Sequence, residues 1–181
     1  MLPPPTTIFP RQPVPSLILP LAGGGEFDLS GMQAESFHLL VYYRGRHCPV
    51  CKTQLGALQA QAGAFAERGV TVTAISCDTK DRAESAVADW NLPGLRIAYD
   101  LTPEQARQWG LFITATRGKT SLGLDEPALF SEPGLFLIRP DLTLFFSSVQ
   151  TMPFVRPRAE DMLAAIDYIK KNDYPLRGDV I

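Results

Sequence analysis

The sequence predicts an α/β fold: a central mixed sheet flanked by helices, with a hairpin added at the N-terminus. Three observations carry that prediction. An apolar run from Phe37 to Tyr43 leads into two cysteines spaced by two residues, and helical periodicity follows at once. Beyond that helix Val70 to Ser76 alternates and is rich in β-branched residues, so a strand, a helix and a second strand form a parallel unit. Near the C-terminus two further apolar runs, Gly134 to Ile138 and Thr143 to Val149, flank Arg139-Pro140-Asp141-Leu142 and read as an antiparallel hairpin.

Taken in order, residues 1–15 hold Pro3, Pro4, Pro5, Pro10, Pro13 and Pro15, too many for a helix or an inner strand. They read as an extended arm packed across the domain. A single domain is expected over residues 16–174, followed by a tail over 175–181. Ser16 to Leu21 and Glu26 to Leu29 flank Gly23-Gly24-Gly25 and form the hairpin extension. After the strand into Tyr43, one helix of roughly 18 residues is expected, ending at Gly69. Ala83, Ala86, Val87 and Trp90 mark the next helix, Arg96 to Tyr99 a short strand, and Thr102-Pro103-Glu104-Gln105 the capped start of a short helix that runs to Gly110. Residues 111–131 have no clear period and read as a functional or mobile loop, a lid or a partner surface. The last helix begins near Pro157, turns Met162, Leu163, Ile166 and Ile169 inward and ends at Lys170-Lys171.

The chemistry is concentrated in Arg44-Gly45-Arg46-His47-Cys48-Pro49-Val50-Cys51. Proline suits the first helical turn, so Cys48 falls at the helix start, facing unpaired N–H groups and the positive end of the dipole. Arg44, Arg46 and a protonated His47 add positive charge, surroundings that lower a cysteine pKa. Cys48 is expected to be the outward nucleophile. Cys51, Leu55, Leu58, Ala62 and Phe65 share one helical face, so Cys51 is expected to be the sheltered partner that resolves a mixed disulfide. Zinc would need two more ligands from His38, His47 and Cys77, with no second pair of this spacing. Cys77 at the next strand end is either a resolving thiol or a small hydrophobe. His47 either tunes the nucleophile or packs, and one of Tyr42 and Tyr43 is core while the other, Tyr43 by choice, offers its hydroxyl near the site.

The whole chain of 181 residues has a net charge of −2 and a pI near 5.7, which excludes the basic footprint of a nucleic-acid binder. Met1-Leu2-Pro3-Pro4-Pro5 has no basic or apolar signal region, and no run approaches the ~18 apolar residues of a membrane span. A cytoplasmic protein with no membrane partner is expected. Three cysteines are too few for a disulfide-stapled secreted scaffold.

The order of elements resembles the thioredoxin fold. More closely, residues 13–172 resemble the peroxiredoxin-like family, also called the alkyl hydroperoxide reductase and thiol-specific antioxidant family. The segments that carry the likeness are the strand into Tyr42-Tyr43-Arg44-Gly45-Arg46-His47-Cys48-Pro49-Val50-Cys51, Ile75-Ser76-Cys77-Asp78, Trp109-Gly110-Leu111, and Pro133-Gly134-Leu135-Phe136-Leu137-Ile138-Arg139-Pro140-Asp141. Typical members carry a Thr or Ser three residues before the nucleophile and a Pro seven before; here those positions are Gly45 and Val41. Pro133 stands where peroxiredoxins place an Arg and thioredoxins a cis-proline, and a cis bond there would leave the Glu132 backbone free to pair with a cysteine-bearing substrate. The resemblance implies a dithiol/disulfide oxidoreductase in which Cys48 attacks a protein disulfide or a peroxide and Cys51 closes. It also implies a thioredoxin- or glutathione-type reductant, no bound cofactor and a homodimer. The alternatives are a strict thiol peroxidase, or a non-catalytic binding module that uses residues 111–131.

Overall fold

A computed structural model describes residues 2–180. Its centre is a five-stranded sheet of β3 (Phe37–Tyr42), β4 (Val70–Ile75), β5 (Arg96–Ala98), β8 (Gly134–Ile138) and β9 (Leu144–Val149) in the order β5-β4-β3-β8-β9. β3 runs parallel to β4 and β4 to β5, whereas β8 is antiparallel to both β3 and β9. The mixed sheet is therefore the expected one. All six residues of β3 are buried, which is why its sequence reads as a continuous apolar run rather than an alternating one.

Alternation along β3 feeds two cores. Leu39, Val41 and Tyr43 pack with Leu55, Leu58, Phe65, Leu163 and Ile166 on one face. Leu40 and Tyr42 pack with Trp109, Phe136 and Ile75 on the other. Helices α1 (Pro49–Ala60), α2 (Ala62–Glu67) and α5 (Ala159–Asn172) supply the first core, α4 (Pro103–Gln108) the second, and α3 (Lys80–Asp89) packs beside β5. α4 carries the full capping box, Thr102 accepting from the Gln105 backbone and Gln105 returning the bond.

The hairpin β1 (Ile18–Pro20) and β2 (Glu26–Asp28) forms around the three glycines. In the N-terminal segment Thr6 N–H donates to Arg107, Arg11 to Leu144 and Val14 to Leu142. The tail is fastened too, with Leu176 buried and Asp179 2.8 Å from Arg11.

Two expectations need correction. The single helix after Cys48 is broken at Gln61 into α1 and α2, because residue 61 takes φ −104°, ψ 8°. Residues 111–131 are no bare loop: β6 (Ile113–Ala115) and β7 (Leu129–Ser131) pair antiparallel, Ile113 opposite Ser131. Strands of three residues are too short to show a period. Among the described residues no helix is long and apolar enough to cross a membrane.

Candidate active site

β3 ends at Tyr42, and a turn of Arg44 to His47 delivers Cys48 as the N-cap of α1, with Pro49 in the first turn. Cys48 donates its N–H to Gly45 O at 3.1 Å, and its own carbonyl receives Cys51 N–H and Lys52 N–H. The turn rests on Asp78, just past β4. That buried carboxylate accepts the Arg46 backbone N–H at 2.7 Å and Arg82 Nε at 2.7 Å. Gly45, at φ 131°, lies so close that a Cβ there would stand 2.7 Å from Asp78 Oδ1.

Cys48 and Cys51 are both free thiols, and the structure makes them unequal. The Cys51 thiol and backbone N–H bond to Cys48 sulfur and, with the charges of Arg156 and Arg44, outweigh its burial and lower its pKa to about 5. Burial pushes Cys51 the other way, and the neighbouring Cys48 adds to the rise. At neutral pH the pair is thus a thiolate and a thiol, the state needed for attack and resolution.

The expected outward position of Cys48 is wrong. It is 1% exposed and Cys51 0%, both within the first core cluster. Arg156, from the segment before α5, stands against both sulfurs, a placement that sequence spacing gave no reason to expect because it lies 105 residues from Cys51. Its Nη1 and Nη2 stand 3.4 and 3.3 Å from Cys51 Sγ, and Nη2 is 3.8 Å from Cys48 Sγ. Nη1 also donates to Gln54 Oε1 at 2.6 Å and Nε to Pro153 O at 2.7 Å.

The other site residues are placed as follows. Arg44 stays at the turn, 3.3 Å from Glu132 and 3.6 Å from Glu126, its guanidinium over the Phe130 ring. Arg46 is drawn to Asp89 at 2.7 Å and is not among the charges that lower Cys48. His47 supplies no positive charge: it is buried edge-on to Phe130, and burial with the Arg44 charge pushes its pKa down to about 4. Tyr43 is buried against Trp90, and burial raises its phenol far above the ordinary value, so it stays protonated. Cys77 packs against the second core, and burial raises it to about 11.

Pro133 precedes β8, but no peptide bond among the described residues is cis. Nor is the Glu132 backbone free, since its N–H donates to Phe112 O at 2.8 Å, while Pro133 O accepts from Gln150. The β6 and β7 sheet, invisible in the sequence, takes up that main-chain donor. Among the described residues no group of three or more His, Cys, Asp or Glu side chains is arranged to hold a metal ion.

Against known proteins, the model of the AhpC/TSA family matches residues 10–146. Over 86 residues the chain is 28% identical to a 1-Cys peroxiredoxin of Medicago truncatula and 29% to 1-Cys peroxiredoxin A of Oryza sativa subsp. japonica. Each match takes in 46% of this chain and 39% of the relative, so it spans about two-fifths of the curated proteins' length. Among solved structures, a mutant of peroxiredoxin 6 of Arenicola marina superposes with a TM-score of 0.71 at 23% identity, over 91% of this chain and 74% of that one. The yeast mitochondrial 1-Cys peroxiredoxin gives 0.75 at 16% identity, over 92% and 78%. These likenesses establish a peroxiredoxin-type, thioredoxin-like fold.

Proposed function

The chain belongs to the AhpC/TSA family, and from that premise we propose that it is a thiol-dependent peroxide reductase in which Cys48 attacks and Cys51 resolves. The observation that carries this reading is the unequal pair under one guanidinium: a sulfur held as thiolate near pKa 5, with a protonated partner one turn away.

The Cys48 thiolate attacks one oxygen of a hydroperoxide, the O–O bond breaks, and the other oxygen leaves with a proton as alcohol or water. Cys48 is then a sulfenic acid. The Cys51 thiol displaces its hydroxyl as water and forms the Cys48–Cys51 disulfide. A thioredoxin- or glutathione-type reductant returns two electrons and two protons. Arg156 holds the attacking sulfur ionised and faces the charge that develops between sulfur and oxygen. No bound cofactor enters these steps.

Burial favours the smaller substrate. A hydroperoxide can reach a sulfur that is 1% exposed with little rearrangement, whereas a folded protein's disulfide reaches it only once the segment carrying Arg156 moves aside. The second reading, exchange with protein disulfides, is favoured by the two-residue cysteine spacing but lacks a free Glu132 backbone to hold the substrate. We further propose a single domain over residues 16–174, cytoplasmic residence, and a homodimer formed across β9, whose edge is covered by the arm only around Leu144 and whose Phe146 is exposed. The deciding experiment is hydroperoxide consumption with a thiol reductant. Cys48→Ser should abolish it, and Cys51→Ser should stop at a sulfenic acid that a dimedone probe captures. Full activity in Cys48→Ser would end the proposal, and insulin reduction without peroxide turnover would select the second reading.

A further inference from the structure

Residues 151–157 link β9 to α5 and carry Arg156 onto the two cysteine sulfurs. Among the described residues no backbone hydrogen bond joins this segment to the rest of the molecule. Its polar tether is Arg156, held by Gln54 and the sulfurs. The same strap turns three large apolar side chains to solvent: Met152 is 48% exposed, Phe154 69% and Val155 76%. Single exposed apolar residues are ordinary, but three together on a strap that covers the reactive pair form a patch.

We propose that Met152, Phe154 and Val155 are the docking surface for a dithiol protein that reduces the Cys48–Cys51 disulfide. This rests on the peroxide-reducing reading above. The occupant follows from access. Both sulfurs are buried beneath Arg156, so a reductant must displace the strap, and its contact surface falls on the side chains the strap exposes. A hydroperoxide or a small thiol is too small to cover such a patch, whereas a protein partner buries it.

The timing also fits. A hydrogen bond to an ionised group is about twice as strong as a neutral one, and in the disulfide neither sulfur is charged. Arg156 then loses its anionic partner and keeps Gln54 and Pro153, so the strap loosens in the state that needs reduction. One thiolate of the partner attacks a sulfur of the pair, the S–S bond breaks, and the other cysteine leaves as thiolate. The partner's second thiol attacks the mixed disulfide, so the partner ends as a disulfide and the chain as a dithiol.

The test oxidises the wild type and the variant Met152→Ser/Phe154→Ser/Val155→Ser with one equivalent of cumene hydroperoxide. Re-reduction is then followed with thioredoxin kept reduced by its NADPH-dependent reductase and, separately, with dithiothreitol. The rate with thioredoxin should fall at least about tenfold, the loss expected when hot-spot side chains leave an interface, while the dithiothreitol rate is kept or rises. Equal thioredoxin rates overturn the proposal, as does a fall with both reductants. So do slower oxidation by the hydroperoxide, which makes the patch a substrate site, and an altered oligomeric state with unaltered reduction. A wild type that forms no Cys48–Cys51 disulfide overturns the functional reading itself.

Discussion

Replacing Arg156 by Gln removes a positive charge whose Nη2 lies 3.8 Å from Cys48 Sγ. At that distance two unit charges interact by about 4 kcal/mol at an effective dielectric of about 20 and by about 1 kcal/mol in bulk water. At about 1.36 kcal/mol per pKa unit, the Cys48 pKa should rise by about one to three. From about 5 in the native protein it moves to between about 6 and about 8, which leaves between roughly nine-tenths and one-tenth of the sulfur ionised at neutral pH. The thiolate's ultraviolet absorbance, followed against pH, gives the midpoint directly, and the peroxide rate should titrate with it. The Cys51 thiol is the larger cause of the low pKa, so Cys51→Ala should move the midpoint further than Arg156→Gln. A midpoint unchanged in Arg156→Gln, or moved further there than in Cys51→Ala, would refute the account of how Cys48 is ionised.

His47 makes the stability of the fold depend on pH. Its folded value of about 4 lies below the ordinary 6.5, so between those values the unfolded chain takes up a proton that the native ring refuses. Stability is therefore lost as pH falls from about 6.5 to about 4. His47→Gln should lose less over that window in urea unfolding, and equal losses would show that the ring does not titrate this way. At the open edge of β9, Phe146→Glu should shift the protein to monomer in size-exclusion chromatography with light scattering, because a charge on that edge opposes pairing. An unchanged mass would remove β9 from the interface.

The parts of the fold that were legible in the sequence are those set by neighbours along the chain. Tyr42 and Tyr43 face opposite cores because strand side chains alternate. Cys51, Leu55 and Leu58 share the buried face of α1 because helical spacing puts them there. Thr102 and Gln105 cap α4 through a motif four residues long. The turn from β3 into Cys48 was legible for the same reason. What escaped depends on contacts between distant segments: Arg156 over the sulfurs, Asp78 under the turn, and β6 pairing with β7 so that the Glu132 N–H is taken. His47 and Arg46 show the same limit. Both are basic on paper, but burial empties the charge of one and Asp89 draws off the other.

Asp78 fills the space beside Gly45, the position three residues before the nucleophile where this chain has no hydroxyl. A threonine placed there would need a backbone at φ 131° and would drive its β-carbon to within 2.7 Å of the carboxylate oxygen. The acid has nowhere to retreat, because it is buried and already receives the Arg46 N–H and Arg82. In this backbone a hydroxyl grafted at residue 45 therefore collides with the acid that holds the turn, so the graft requires the turn and Asp78 to shift together.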